Sequence, residues 1–157
     1  MRIVAWNCRG LGNGPAIRVL LDVQKKEDPD VLFLSETKHG KKWMEGFRWR
    51  LKMTNIVVKD SEGTRGGLAL FWKKEVNLRV LSWSRYHIDT MIKEEDGSAW
   101  RFTGIYGESV VRRRKHGNYY IFYSIAIIFC GCAMVILMRS FLIVKRKEAP
   151  LERKVAC

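Results

Sequence analysis

The sequence predicts an α/β fold, and three observations in its first 107 residues support this class. Two continuous apolar runs of strand length, Ile-Val-Ala-Trp at 3–6 and Val-Leu-Phe-Leu-Ser at 31–35, are typical of buried strands. An amphipathic segment of helical period separates them. Shorter strand-like segments, divided by turn residues, then continue to residue 107. Strand, helix and strand in this order indicate a sheet covered by helices.

The first predicted helix follows the turn sequence Gly-Asn-Gly-Pro at 12–15. Gly14 is the candidate N-cap, and Pro15 stands at the first helical position, where its missing N–H costs nothing. Apolar residues then recur at helical spacing, with charged side chains on the opposite face. Asp-Pro-Asp at 28–30 ends the helix, because proline cannot continue it.

A second helix is predicted between residues 39 and 51, where Trp43, Phe47 and Leu51 recur at helical spacing among many charges. The remaining predicted strands cover residues 55–59, 66–72, 78–83, 87–93 and 99–106. Turn sequences separate these strands, and Glu-Glu-Asp-Gly-Ser at 94–98 is typical of a hairpin.

The composition changes at Ser109. Residues 1–108 carry 19 basic and 14 acidic side chains and residues 109–157 carry 10 and 2, so most of the net charge of +13 lies in the last third. A basic run at 112–115 precedes twenty uncharged residues at 119–138. As a helix, these twenty residues would span about 30 Å, the thickness of a bilayer's hydrocarbon core. We therefore predict a folded domain at 1–108, a basic linker at 109–118, a hydrophobic transmembrane helix at 119–144 and a basic tail at 145–157.

The hydrophobic segment at 119–144 has three interpretations. It is a single-pass membrane anchor, whose orientation is undecided because basic clusters flank both ends. Alternatively, it is a buried core helix. In the third interpretation, a frameshift or read-through product is joined to an interrupted coding sequence.

Cysteine usage and the first residues bear on the compartment. The spacing of the four cysteines fits neither a zinc site nor a small secreted scaffold, so reduced thiols are expected at Cys8, Cys130, Cys132 and Cys157. No signal peptide is expected, because the N-terminal apolar run is short and turns polar at Asn7.

Two polar residues at strand ends are the candidate functional residues. Asn7 follows the first apolar run and Glu36 the second, so two buried strands would bring both side chains to one edge of a sheet. A carboxylate at the end of a buried strand costs free energy unless it binds a cation, forms an ion pair or reaches solvent. A solvent-facing cap is the alternative for Glu36, and a turn residue is the alternative for Asn7. Gly66 and Gly67 either allow close approach to a phosphate or form a bulge or turn.

Four motifs occur in a recognisable order. They are Ile-Val-Ala-Trp-Asn-Cys-Arg-Gly-Leu-Gly at 3–12, Asp-Val-Leu-Phe-Leu-Ser-Glu-Thr-Lys at 30–38, Gly-Gly-Leu-Ala-Leu-Phe-Trp at 66–72 and Phe-Thr-Gly-Ile-Tyr-Gly at 102–107. Together they resemble the start of the endonuclease/exonuclease/phosphatase (DNase I-like) family, and most closely the endonuclease domain of plant LINE-type (non-LTR) retrotransposons. The resemblance covers about residues 1–108. It implies the N-terminal portion of a four-layered α/β sandwich, in which helices enclose two packed sheets.

The resemblance also implies a chemistry. Members of this family hydrolyse phosphodiesters with a divalent cation, usually Mg²⁺, and DNA is the expected partner. By resemblance Glu36 is the metal ligand, Asn7 lies beside the metal and the scissile phosphate, and Tyr106 is the active-site tyrosine. Carboxylate and amide oxygens suit a hard cation, which agrees with these roles. The implied localisation is nuclear or cytoplasmic, or the membrane if the segment at 119–144 is a genuine anchor.

The family pattern is incomplete in this sequence. In the family an Asp-x-Asn motif follows the tyrosine, and an aspartate and a histidine come near the C-terminus. Here no aspartate follows Asp96, and the sole later histidine is His116, in the basic run. His87 and Asp89 are interpreted as ordinary strand residues that match no catalytic position.

Three functional hypotheses follow. The first is a truncated, inactive remnant of a retrotransposon-type endonuclease domain joined to a membrane-like helix, because the residues that activate water are absent. The second is an active metal-dependent phosphodiesterase that a partner chain completes. The third is a single-pass membrane protein with an N-terminal binding module. A domain of only 108 residues is expected to leave an open sheet with an unpaired edge.

Overall fold

A computed structural model of the protein describes residues 1–63, 65–111, 120–129 and 141–145, with side chains for residues 1–63 and 65–107. The helices are α1 (Gly14–Glu27) and α2 (Lys41–Arg50). The strands are β1 (Arg2–Asn7), β2 (Val31–Ser35), β3 (Asn55–Lys59), β4 (Leu68–Trp72), β5 (Asn77–Trp83), β6 (His87–Lys93), β7 (Ala99–Val111), β8 (Tyr120–Phe129) and β9 (Phe141–Lys145). Both predicted helices and all predicted strands up to residue 106 are confirmed, with shifts of a few residues at their ends.

The first sheet has the strand order β3-β4-β2-β1-β9. β1 and β2 are parallel neighbours, and α1 connects them along the chain. Ile3 lies opposite Val31, and Asn7 lies opposite Ser35. β4 lies antiparallel to β2, and β9 antiparallel to β1. All five residues of β2 are buried, which explains its continuous apolar sequence.

The second sheet has the order β5-β6-β7-β8, and all its neighbouring strands are antiparallel. The predicted hairpin joins β6 to β7, and the Glu94 N–H donates to the Ser98 carbonyl at 2.8 Å. A register shift between Val80 and Ser82 interrupts the pairing of β5 with β6. Such a bulge bends the strand that carries it, here the edge strand of the described sheet.

Two hydrophobic cores divide the molecule into layers. The first lies between the helices and the first sheet, where Leu20, Met44 and Phe47 pack in one cluster with Leu32 and Phe71. The second lies between the two sheets. Its members are Ile3, Ala5, Val31, Phe33, Leu68, Leu70, Ile88, Ile92, Trp100, Phe102 and Tyr106. Helices, first sheet and second sheet are three successive layers, which confirms the α/β class and part of the predicted sandwich.

The start of α1 differs from the prediction by one residue. Asn13, rather than Gly14, is the N-cap: its backbone is extended and its Oδ1 accepts from the Ala16 N–H at 2.9 Å. A side-chain acceptor satisfies an N–H that the first helical turn leaves without a partner, which glycine cannot do. Pro15 is therefore the second residue of the helix, one position later than predicted, and still lies in the first turn.

The prediction of a long helix at 119–144 is wrong in the part of that range that the structure describes. Residues 120–129 form β8, which pairs with β7, and residues 141–145 form β9, which pairs with β1. Eight of the ten residues of β8 are isoleucine or aromatic, residue types that favour strands. An apolar run does not by itself distinguish a buried strand from a buried helix. Residues 119 and 130–140 lie outside the described residues.

The structure describes part of the predicted linker, and it describes two helices that can be compared with the predicted membrane anchor. β7 continues to Val111, so the first residues of the predicted linker at 109–118 belong to the second sheet. Neither helix that the structure describes has the length and apolar character needed to cross a membrane. An unpaired edge was expected for a domain that ends at residue 108, and residues beyond 108 pair with two strands of this domain: β9 with β1, and β8 with β7.

Candidate active site

The carboxyl ends of β1 and β2 bring the two predicted polar residues together. The strands are parallel, and Asn7 is the last residue of β1, opposite Ser35, the last residue of β2. Glu36 follows immediately, and the Asn7 Nδ2 donates to the Glu36 Oε1 at 3.2 Å. Both side chains are buried, with exposures of 4% and 7%. The predicted meeting of Asn7 and Glu36 at one edge of the sheet is confirmed.

Tyr106 reaches the same carboxylate from the second sheet. Its Oη donates to the Glu36 Oε1 at 3.1 Å, across 70 residues of sequence. Its backbone N–H donates to the Tyr86 carbonyl at 2.7 Å, which ties β7 to the turn before β6. One carboxylate oxygen thus accepts from an amide and a phenol. Among the described residues, none donates a hydrogen bond to the other oxygen, Oε2.

The loops behind this carboxylate have unusual backbone conformations. Arg9, Glu36 and Lys38 have φ angles of 49°, 54° and 56°, in the left-handed region that side-chain-bearing residues rarely adopt. The Asn7 Oδ1 accepts from the Arg9 N–H at 3.1 Å, so both polar atoms of that amide are engaged. Strained residues persist where surrounding contacts hold them, and they cluster at functional sites.

Gly66 and Gly67 support the Glu36 loop from the adjacent β4 side. The Gly67 carbonyl accepts from the Thr37 N–H at 3.2 Å, and the Gly66 carbonyl accepts from the Lys38 N–H at 3.1 Å. A Cβ on Gly67 would lie 2.4 Å from the Thr37 Oγ1. The two glycines therefore allow the segment before β4 to approach the backbone that follows Glu36.

A cleft of about 270 Å³ opens beside Tyr106. Its lining combines two carboxylates, two guanidinium groups, two glycines and two tyrosines: Asp60, Glu62, Arg65, Gly66, Gly67, Arg85, Tyr86 and Tyr106. Arg85 lies within 3.7 Å of Glu62, and both side chains are more than half exposed, so this ion pair is worth little. The sequence pattern did not single out Asp60, Arg85 or Tyr86, because isolated turn residues carry no periodic signal.

The donor set at Glu36 fits a cation that keeps most of its water ligands. Among the described residues, no Lys, Arg or His nitrogen lies within ion-pair distance of Glu36. A buried carboxylate without such a partner favours a bound cation. The described part of the chain holds no group of three His, Cys, Asp or Glu side chains suited to a metal. One carboxylate plus waters is a donor set that Mg²⁺ accepts, because it dehydrates reluctantly.

Cys8 lies next to the site but is not suited to react. Burial raises the pKa of its thiol to about 12, and its Sγ donates to the Ser35 carbonyl at 3.0 Å. The thiolate is the reactive form of cysteine, so a raised pKa suppresses nucleophilic chemistry. Cys8 is a free thiol, as expected, whereas the other three cysteines lie outside the described residues.

His87 and Asp89 lie on β6 and make contacts of their own, away from Glu36. The ring nitrogens of His87 are 2.8 Å from the Ser84 Oγ and 3.0 Å from the Ser82 Oγ. Asp89 accepts from Arg101 through both carboxylate oxygens, at 2.8 and 2.5 Å, and from the Thr103 Oγ1 at 2.7 Å. Their interpretation as strand residues is confirmed, because both belong to β6.

The Asp89 cluster predicts a pH-dependent stability. The hydrogen bonds from the Arg101 guanidinium lower the pKa of Asp89, so the folded state favours the carboxylate. The resulting stabilisation is present above the unfolded-state pKa of about 3.9 and is lost as the pH falls through the lower folded-state pKa. In thermal melts, Asp89→Asn should lower Tm at pH 6, and this difference should shrink below pH 4.

The matched control for this experiment is Asp22→Asn, which alters an exposed carboxylate on α1. It should change Tm little at either pH. A difference between Asp89→Asn and the parent chain that stays constant from pH 6 to pH 3 would contradict the assigned role of the carboxylate.

A model of the endonuclease/exonuclease/phosphatase family matches residues 4–126. The chain belongs to this family. The match includes Asn7, Glu36 and Tyr106, and it continues past the change of composition at Ser109. The search of curated proteins finds no match. The closer likeness to plant LINE-type endonucleases and the truncation stay predictions.

Two solved structures are similar to the chain, the first of them with a TM-score above 0.5. The AP endonuclease LMAP from Leishmania major has a TM-score of 0.51 and 19% identity, over 70% of this chain and 41% of that chain. The catalytic domain of Xenopus laevis APE2 has a TM-score of 0.47 and 18% identity, over 71% of this chain and 46% of that one. The chain therefore spans less than half the length of either structure.

Proposed function

We propose that this family member binds a divalent cation and a DNA phosphodiester at Glu36, and that the 157-residue chain does not hydrolyse the phosphodiester by itself. The observation that carries the proposal is the convergence of Asn7 and Tyr106 on one oxygen of Glu36. Two donors hold the carboxylate in a single orientation, and its other oxygen is left for a cation.

Glu36 Oε2 would hold the cation, which when bound stabilises negative charge on phosphoryl oxygens. The Tyr106 hydroxyl and the Asn7 amide fix the carboxylate, as the outer partners of metal ligands commonly do. Arg65, which lines the adjacent cleft, would supply positive charge to a phosphate backbone that passes there. The two guanidinium groups of the cleft lining are balanced by two carboxylates, so the bound cation would supply the net positive charge for an anionic substrate.

Hydrolysis requires a further group that removes a proton from the attacking water. Of the carboxylates that line the cleft, the Asp60 Oδ1 accepts from the Lys41 N–H at 2.6 Å, and Glu62 is exposed and lies within 3.7 Å of Arg85. The sequence offers no aspartate after Asp96. Loss of one member of a catalytic unit removes several orders of magnitude of rate. These points support binding without turnover.

The proposed substrate class is DNA. The four motifs that resemble LINE-type retrotransposon endonucleases support it, and so does the fold shared with an AP endonuclease. We extend the proposal to a retrotransposon origin of the domain on the same motifs. A membrane anchor is not part of the proposal.

Mn²⁺ binding, followed by electron paramagnetic resonance as loss of the free-ion signal, tests the cation site directly. Glu36→Gln removes the ligand charge, and Tyr106→Phe removes one donor to Oε1. We expect Glu36→Gln to abolish measurable binding and Tyr106→Phe to weaken it by about tenfold, the usual cost of losing an outer partner. An unchanged Mn²⁺ affinity in Glu36→Gln would overturn the proposal.

Glu62→Gln is the matched control, because it makes the same substitution at an exposed carboxylate of the same cleft. Its Mn²⁺ affinity should equal that of the parent chain. In a parallel assay on supercoiled plasmid with Mg²⁺, parent and Glu36→Gln chains should both show no nicking. Nicking that depends on Glu36 would contradict the absence of turnover, and a steep rise with protein concentration would indicate completion by a second copy.

A further inference from the structure

The outward face of α2 carries aromatic and basic side chains that the Glu36 site does not use. Gly46 lies at its centre, and side chains three and four positions away on a helix are neighbours. Trp43 and Trp49 lie three positions from Gly46, and Lys42 and Arg50 lie four positions from it. A Cβ on Gly46 would meet no heavy atom within 4 Å. We call these five residues the Gly46 notch.

The notch is accessible to a partner. Trp49 is 68% exposed and Trp43 is 36% exposed, while Lys42, Gly46 and Arg50 are all exposed. Large aromatic side chains on a surface commonly mark a binding site when they cluster with charges. Glycine in a helix interior is less stable than alanine, and no packing contact requires it here. The open space at Gly46 thus has no explanation in the fold itself.

The aromatic side chains around the notch are held by contacts with one another and with neighbouring arginines. His39, Trp43 and Phe47 form a stack with ring centroids 3.9 and 4.9 Å apart and interplanar angles of 9° and 18°. The Arg50 guanidinium lies over the Phe47 ring at 5.3 Å, and that of Arg48 over the Trp49 ring at 4.6 Å. A ring that neighbouring side chains already contact loses less conformational freedom when a ligand binds than a ring without contacts does.

The charge of this segment selects the partner's chemistry. Residues 38–52 contain six Lys and Arg side chains and one carboxylate, that of Glu45. Trp43 already stacks with His39 and Phe47, so Trp49 is the tryptophan that is open to a ligand. A polyanion with accessible planar apolar groups complements both the cations and Trp49. Single-stranded nucleic acid has this chemistry, because its bases are free to stack on aromatic side chains while its phosphates meet basic ones. In a duplex the bases already stack on one another.

The notch is also close to the cleft along the chain. The first residue of α2, Lys41, donates its N–H to Asp60, which lines the cleft beside Tyr106. From there α2 extends for ten residues, or about 15 Å, past the notch. We propose that the Gly46 notch binds single-stranded DNA and holds it next to the cleft. The choice of DNA over RNA rests on the proposed function, whereas binding at the notch does not.

Fluorescence anisotropy of a labelled 20-nucleotide single strand tests the proposal, with the full chain in EDTA so that no cation site contributes. We expect Trp49→Ala to weaken binding by about tenfold, the effect of losing one base-stacking contact. Arg50→Ala should reduce the slope of log affinity against log salt by about 0.7, the value for one phosphate contact. Gly46→Leu should raise Tm, because leucine favours helix, and should weaken binding because it fills the notch.

Trp83→Ala and Arg79→Ala are the matched controls, because they remove an exposed tryptophan and an exposed arginine from β5. Both should bind the strand as the parent chain does. Equal losses in Trp49→Ala and Trp83→Ala, or no binding by the parent chain, would overturn the proposal. The proposal would also be overturned if the chain bound vesicles of anionic lipid as tightly as it binds the DNA strand and if that binding depended on Trp49. Normal DNA binding in EDTA with failed Mn²⁺ binding at Glu36 would overturn the proposed function alone.

Discussion

Gly67→Ala should lower the free energy of unfolding by about 2–5 kcal/mol, from backbone strain and steric overlap together. Gly67 has a φ of +88°, and its Cβ would lie 2.4 Å from the Thr37 Oγ1 and 3.2 Å from the Lys38 nitrogen. Thr37 is fully buried, and its backbone N–H donates to the Gly67 carbonyl. Neither neighbour can move without displacing the loop that carries Glu36. Urea denaturation with an unchanged m-value measures the loss.

Gly66→Ala is the matched control for this substitution. Gly66 also has a positive φ, +72°, but its Cβ would meet no heavy atom within 4 Å. It should therefore cost only the backbone strain, about 1–2 kcal/mol. If both alanine variants lost the same free energy of unfolding, the overlap with Thr37 would not contribute to the loss in Gly67→Ala.

Gly104→Ala should destabilise the packing between the two sheets by about 1–3 kcal/mol, the usual effect of adding a methyl group to a filled core. A Cβ at Gly104 would lie 2.6 Å from two ring atoms of Phe33 and 2.8 Å from a third. Phe33 is fully buried, and its ring packs edge-on against Phe102, with centroids 6.3 Å apart. Phe33 belongs to the filled core between the two sheets, so its ring has little space into which it could move away from the added methyl group.

A double-mutant cycle identifies this overlap as the cause. Phe33→Leu shortens the ring and alone should cost free energy through the cavity it leaves. In the double variant, Phe33→Leu with Gly104→Ala, the combined loss should be smaller than the sum of the two. Gly107→Ala is the control on the same strand, because a Cβ there would meet nothing within 4 Å. Additive losses in the cycle would contradict direct contact between the two positions.

Local pattern was sufficient for most of the fold up to residue 106. Burial of β2 on both faces produces an uninterrupted apolar sequence, and α1 shows the helical period because only one side packs on the sheet. The error at Gly14 has a local cause, since Asn13 and Gly14 are both acceptable caps and the side-chain hydrogen bond decides between them.

The segment after Ser109 shows where pattern fails. Twenty uncharged residues satisfy the length of a membrane helix, and they satisfy the composition of a buried strand equally well. β8 and β9 form because β7 and β1 offer free edges of backbone N–H and carbonyl groups. For β9 that information lies in β1, far away in the sequence, whereas β8 pairs with β7, the strand before it. In both cases the partner strand, and not the composition of the apolar run, decides the structure.

The same distinction applies to the Glu36 site. The sequence by itself determined that Asn7 and Glu36 would meet, because each follows a buried strand and parallel neighbours end at the same edge. Only the tertiary structure decided that the Tyr106 hydroxyl, 70 residues away, would share the oxygen that Asn7 contacts. That contact depends on the packing of one sheet on the other, and burial of the residues between the sheets sets this packing without regard to their spacing along the chain.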